Sequence, residues 1–197
     1  MIDVERQLTN CLQIISAWEG GTLYAHGNGA VGLLGFQFGW RTKLLEMMGL
    51  PADTTDADFD VHVGRDKVMA KTQQTKLGIE VLREIYDYSC KPRGLKSFTS
   101  VVQVLDIGIN NGRQNSMLTR AEHELGWMGK AKVKDEQRFA RQVAKVRIKE
   151  IGHLFQQYPG LKVRYDWYKE RADKWDIPKE WPDIRIEPKG RTITMIQ

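Results

Sequence analysis

Apolar residues near the start of the chain recur at helical spacing: Val4, Leu8, Cys11, Ile15 and Trp18 step by four, three, four and three. The spacing predicts a helix with one buried face, Asp3 as its N-cap, and Gly20 and Gly21 as its stop directly after Glu19. Over 22–39 glycine interrupts any helical period, and a short β-hairpin or looped sheet fits the pattern better. A second helix is expected over 40–48, closed by Gly49 and Pro51. The segment 52–60, ADTTDADFD, reads as an acidic loop that caps the next helix. That next helix is a long one over 66–89, broken at 91–94. Phe98, Val101, Val102, Leu105 and Ile109 form a further helical face that runs to NNG, and a short helix follows over 115–125. A long basic amphipathic helix is expected over 134–157, with Phe139, Val143, Val146, Leu154 and Tyr158 inward. Pro159 and Gly160 end it, and helix resumes over 161–175. The tail IRIEPKGRTITMI alternates around Pro-Lys-Gly and predicts a hairpin. Together these elements give an α+β fold, mainly α, with a small β-hairpin after the first helix. A single domain over 1–197 is expected, with the tail 176–197 packed on it.

Composition narrows the class. The length of 197 residues suits one core, and 41% hydrophobic with 28% charged residues is ordinary for a globular chain. No apolar stretch approaches a membrane span, so membrane insertion is not expected. Two cysteines do not make a disulfide framework, and Cys11, on the apolar face of the first helix, is expected as a buried thiol. The histidines, His26, His62, His123 and His153, show no metal-ligand spacing, so no metal or cofactor is expected. A net charge of +5 favours an anionic partner.

The chemistry concentrates at SAWEGGTLYAHGNGAVGLLGFQFG, over 16–39. Glu19 is expected at a helix C-terminus with apolar neighbours, and both the dipole and the burial disfavour its charged form. A carboxyl group kept neutral is able to give a proton to a leaving oxygen. The glycines beyond it let backbone approach a bulky ligand, as a sugar chain lying across a hairpin requires. Asp106 is a second conspicuous carboxylate, set against an apolar helix face. It is expected to pair with an arginine or line a cleft, with Arg113, Arg147, Arg164 and Arg171 as candidate partners.

A helix-ending glutamate, a glycine-rich hairpin and a further helix resemble the lysozyme-like superfamily of glycoside hydrolases. SAWEGG followed by YAHGNGAVGLLGFQFG looks most like the family 46 chitosanases, and GAVGLL is also similar to goose-type lysozymes and lytic transglycosylases. VVQVLDIGINNGRQ is similar to the chitosanase helix that carries an aspartate shortly before a small residue and a glycine. The resemblance covers about 110 residues of the chain. It implies a lysozyme-like fold, Glu19 as general acid, and Tyr24, Gly27 and Gly29 as the hairpin floor. It places Asp106 in a charge network behind the acid. Trp40 and Asn110 are further candidate substrate contacts, and Trp18 and Trp127 are alternatives for stacking on sugar rings. The family's second catalytic aspartate lies in the hairpin, where this chain has His26. His26, an aspartate of the 53–60 segment (Asp53, Asp56, Asp58 or Asp60), or no carboxylate base at all are the open substitutes.

A pI near 9.2 suits the anionic peptidoglycan wall better than polycationic chitosan. The expected activity is therefore hydrolysis of the β-1,4 glycan of peptidoglycan by a monomeric muramidase of endolysin type. The N-terminus lacks the order of a secretion signal, so the protein is expected to be cytoplasmic at synthesis and to reach the wall after release or delivery. A chitosanase, a non-catalytic lysozyme-like phage or wall-binding protein, and a basic nucleic-acid-binding module are the alternatives. The last leaves Glu19 and the glycine hairpin unexplained, so nucleic acid is not the expected partner.

Overall fold

A computed structural model describes residues 4–19, 22–112, 116–127, 133 and 135–175, and the backbone of 183–186 and 193–196. The chain is mainly helical, with eight helices and two small antiparallel sheets among the described residues. It divides into two compact units, one formed by Met1–Leu82 with Asp183–Ile196 and the other by Arg83–Pro182 with Gln197. The predicted N-cap Asp3 and the stop at Gly20 and Gly21 lie outside the described residues, as does Arg113.

In the first unit, helix α1 (Val4–Trp18) buries Leu8, Cys11, Leu12, Ile14 and Ile15. The face predicted from spacing is the buried one, and Cys11 is a buried thiol. Strands β1 (Ala25–Gly27) and β2 (Ala30–Val31) form the expected hairpin, extended by a bridge between Val31 and Phe36. Helix α2 spans Phe38–Met47. The segment expected as an acidic loop is largely helix: α3 runs over Asp56–Arg65. Its N-cap is Thr55, whose Oγ1 accepts from the Asp58 amide at 3.2 Å and donates to the Asp58 carboxylate at 2.7 Å. Thr55 is thus a side-chain N-cap whose hydroxyl also bonds the Asp58 carboxylate, and first-turn aspartates favour the positive helix end. Helix α4 (Lys67–Ile85) follows. In the tail, β3 (Asp183–Ile186) pairs with β4 (Ile193–Ile196) and β3 runs along α1, so the predicted tail hairpin is present.

Phe38, at the start of α2, has φ 49° and is 87% exposed. Left-handed backbone is costly for a residue with a bulky Cβ substituent, and here burial returns little. Phe36, two residues earlier, is fully buried and fixes the chain beside β2.

In the second unit, a π-helical turn (Tyr86–Cys90) leads to α5 (Phe98–Asn111), in which every residue from Phe98 to Gly108 is buried. A helix buried on all sides belongs at the centre of its unit, and α5 packs against the π-turn, α7 (Glu136–Ile151) and α8 (Pro159–Lys174). Its N-terminus is capped twice. Ser97 Oγ accepts from the Ser100 amide, and the Glu136 carboxylate accepts from the Lys96 and Ser97 amides at 2.8–3.1 Å. The short helix expected over 115–125 is α6 (Ser116–Glu124). Arg93 and Glu122 form a buried two-pronged ion pair at 2.7 and 3.2 Å.

Two details of the C-terminal pattern differ from expectation. Pro159 opens α8 rather than only closing the preceding helix, because its missing amide hydrogen costs nothing in a first turn. Tyr158, expected inward, is 51% exposed. Helix α7 gives way to a 3-10 turn over Gly152–Leu154, which rotates Tyr158 off the predicted stripe.

The centre of the second unit holds a charge cluster. Asp106 on α5 is 0% exposed and lies between Arg164 of α8 and Arg147 of α7. The Arg147 guanidinium is 2.5 Å from Asp106 Oδ2, 4.2 Å from the centre of the Tyr165 ring and 5.7 Å from that of Tyr168. Ring faces attract a desolvated cation and offset part of the cost of burying a second guanidinium beside one carboxylate. Burial alone pushes the Asp106 carboxyl up. The Arg164 and Arg147 guanidiniums outweigh burial and hold it below the usual carboxylate range.

Two stability measurements follow from these contacts. Asp106→Asn leaves buried guanidiniums uncompensated and should lower unfolding free energy by about 3–5 kcal/mol. Because the folded carboxyl sits below its unfolded value of about 4, its contribution is complete above that value. It disappears as pH falls through the folded one, so urea titrations at pH 7 and pH 3 should differ less in the variant than in the wild type. Phe38→Gly should raise stability by about 1 kcal/mol by relieving the left-handed backbone, read as a higher thermal midpoint.

Candidate active site

The hairpin is too short to hold itself. Its strands have three and two residues, and an isolated two-stranded hairpin is marginal at best in water. The turn Gly27-Asn28-Gly29 is left-handed throughout, with φ values of 84°, 53° and 74°. A Cβ at Gly27 or Gly29 meets nothing within 4 Å, so backbone shape, not crowding by protein, requires these two glycines. Their outer face is open to a ligand.

Side chains from two neighbouring helices fasten the hairpin. Gln74 of α4 is fully buried and spans the hairpin's two ends. Its Nε2 donates to the Leu23 carbonyl at 2.8 Å and its Oε1 accepts from the Leu33 amide at 3.0 Å. Gly32 lies so close that a Cβ there would be 2.6 Å from Gln74 Oε1. This glycine permits close approach to a side chain of the protein itself. Asp60 of α3 reaches β1, where its Oδ1 accepts from the Ala25 amide at 2.7 Å. Within the hairpin, His26 Nε2 is 2.8 Å from the Gly32 carbonyl. A carbonyl only accepts, so Nε2 carries the hydrogen and the lone pair of the neutral ring is on Nδ1.

The residues read from the sequence fall into two groups. Glu19, Tyr24, His26, Gly27, Gly29 and Trp40 belong to the first unit. Glu19 directly follows the last residue of α1, its amide bonded to the Ile15 carbonyl at 3.1 Å, and it is half-buried. Tyr24 is half-buried, its carbonyl accepting from the Gly32 amide at 3.0 Å and its ring lying 6.0 Å from the Lys67 ammonium. Trp40 is half-buried on α2 and His26 is exposed. Asp106 and Asn110 belong to the second unit. Asn110 is exposed, and its side-chain amide donates to the Asp106 carbonyl one turn back at 2.9 Å. Of the four candidate arginines, Arg147 and Arg164 meet Asp106, while Arg171 pairs with Glu170. Trp127 is stacked against Phe139, with ring centres 6.3 Å apart.

The four aspartates of 53–60 separate clearly. Asp53 is exposed before α3. Asp56 pairs with Arg41 at 3.3 Å, and Asp58 belongs to the cap with Thr55. Asp60 is bonded to the hairpin. Sequence reasoning missed Gln74 and Lys67. Gln74 was open to discovery: Ala70, Gln74, Leu77 and Val81 share one helical face, and a glutamine on a buried stripe needs polar partners. Among the described residues no group of three or more His, Cys, Asp or Glu is placed to hold a metal ion, and no helix is long and apolar enough to cross a membrane.

Gln74→Leu would leave the Leu23 carbonyl and the Leu33 amide without their partner. It should cost about 1–3 kcal/mol and speed hydrogen exchange at Leu33 and Gly32 more than in the interior of α5. Comparison of the chain with protein-family models, with curated proteins and with solved structures finds no match.

Proposed function

We propose that the chain is a glycoside hydrolase of lysozyme-like fold that cleaves the β-1,4 glycan of bacterial peptidoglycan, with Glu19 as the general acid. The observation that carries this reading is the environment of Asp106. The resemblance to family 46 chitosanases implies a carboxylate in a charge network at this position of the chain. Asp106 is fully buried with Arg147 and Arg164 on either side of it. A nucleic-acid-binding module has no need of such a buried cluster. Helix, helix-ending glutamate and open-faced glycine hairpin also occur in the order that the resemblance implies.

In this reading the sugar chain lies across the backbone of Gly27 and Gly29, where an added Cβ would meet no protein atom, beside Tyr24. Glu19 protonates the leaving oxygen as the glycosidic bond breaks. The net charge of +5 favours encounter with an anionic wall and opposes binding of polycationic chitosan.

Purified protein should release fragments from peptidoglycan and leave chitosan largely intact. Mass analysis should find N-acetylmuramic reducing ends. Glu19→Gln should lower the rate at least about 100-fold while leaving glycan binding in place. Wild-type protein that cleaves neither polymer contradicts the reading, and anhydro ends replace hydrolysis with transglycosylation.

A further inference from the structure

Helix α7 carries both signs of charge and separates them. Its acids are used inside the fold: Glu136 accepts from the Lys96 and Ser97 amides, and Glu150 pairs with Arg120 of α6 at 2.7 Å. Its outer face holds only cations. Arg138, Arg141, Lys145 and Lys149 are all exposed and step by three, four and four. That spacing keeps them on one side of the helix, along about 17 Å of its length. We infer that this stripe is a docking surface for a linear phosphodiester polymer of the bacterial wall. The inference goes beyond the hydrolase reading and takes from it only the wall as the place of action.

Three observations support it. First, the stripe is not neutralised by its surroundings. Arg138, Lys145 and Lys149 form no ion pair among the described residues. Arg141 shares Asp173 of α8, at 3.4 Å, with Lys169, at 2.8 Å. Lys169, Arg141 and Lys145 together hold the Asp173 carboxyl below the usual carboxylate range, so one acid stands among three cations. Glu124 of α6 lies at the flank, where it accepts from Gln142 at 2.5 Å.

Second, the arrangement works against the helix that carries it. Like charges three and four residues apart repel, whereas opposite charges at that spacing support a helix. The neighbouring α8 follows the favourable rule, with Lys162 and Asp166, Lys169 and Asp173, and Glu170 and Lys174 paired. A row of cations alone on α7 does not serve the fold and matches an anionic chain outside it.

Third, the packing selects the kind of polyanion. Helix α7 is packed against α5, α6 and α8, with Phe139, Val143 and Val146 buried. So held, it does not enter the major groove of a duplex, nor sink an apolar face into a bilayer. Its one aromatic residue, Phe139, is fully buried, so the stripe offers no ring on which the bases of a single strand would stack. A row one residue wide fits a flexible chain that carries a charge at each repeat, and such binding gains from release of counterions.

The test uses the full-length protein and purified poly(glycerol phosphate), with neutral dextran and single-stranded DNA of equal charge as comparison polymers. Wild-type protein should bind poly(glycerol phosphate) at low salt, lose it steeply as salt rises, and ignore dextran. A variant with Arg138→Gln, Lys145→Gln and Lys149→Gln should bind at least about 10-fold more weakly, and its slope of log affinity against log salt should be shallower by about 2. Its thermal midpoint should be unchanged or raised, because repulsion along α7 is relieved, so lost binding is distinguished from lost folding. Intact walls should retain more wild-type protein than walls stripped of phosphodiester polymer, a comparison that depends on no variant. Equal retention on both walls overturns the inference. So does unchanged affinity in the triple variant, or tighter binding to the DNA than to poly(glycerol phosphate). In each of these cases glycan cleavage that Glu19→Gln abolishes would leave the hydrolase reading standing. Protein that binds the polymer through the stripe but cleaves no glycan overturns that reading alone.

Discussion

The hairpin after α1 is held from outside. Its strands are too short to sustain their own ladder, and its turn uses three consecutive left-handed residues. What fixes it is a pair of polar side chains from helices far along the sequence: Gln74 across its two ends and Asp60 on its first strand. Each satisfies backbone groups that would otherwise lose water without replacement. The arrangement leaves the outer face of the turn bare, because no side chain is needed there to hold it. A floor of exposed backbone on a rigid support is a surface on which a flat, hydroxyl-rich ring is able to lie. The exposed, strained Phe38 and the half-buried Trp40 follow directly in the chain.

The second unit solves a different problem. Its central helix is buried along almost its whole length, yet carries a carboxylate. Asp106 is tolerated because two guanidiniums converge on it from α7 and α8, and because the tyrosine rings of α8 take up part of the Arg147 charge. The same cluster ties three helices to one point. The basic stretch of α7 is therefore not wholly a solvent face: Arg147 is turned inward and fully buried. Burial pushes the Cys90 thiol well above its ordinary range, and the nearby Arg93 offsets this only in part, so it is an inert core group.

Elements whose signal is local were legible in the sequence. The buried face of α1 follows from Leu8, Cys11 and Ile15, and the first hairpin from its glycines. The tail hairpin follows from alternation around Pro-Lys-Gly. Where the signal was local but ambiguous, the sequence misled. The aspartates of 53–60 suggested a loop, although Thr55 and Asp58 have the spacing of a cap, and Pro159 suggested a stop when it is also a good first residue. Long-range choices were not legible. Nothing in the spacing tells that Asp106 takes Arg147 and Arg164, 58 residues apart from it in the latter case, since burial of a guanidinium is decided by tertiary packing. The attachment of Asp60 to a backbone amide 35 residues away leaves no trace in either segment, because any residue but proline supplies that amide. The candidate site was thus partly visible: its glycines and Glu19 were, Asp60 was one of four aspartates left open, and Gln74, which fastens the hairpin's two ends, was not singled out.

These features join into one claim, that the externally fastened hairpin is a sugar-binding floor served by Glu19. Amide chemical-shift mapping with an inactive Glu19→Gln protein and a soluble peptidoglycan oligosaccharide tests it most directly. The account predicts saturable shifts at Tyr24, Ala25, His26, Gly27 and Gly29, and none at the amides in the buried middle of α5. Shifts confined to residues away from the hairpin, or none at millimolar sugar, would contradict it.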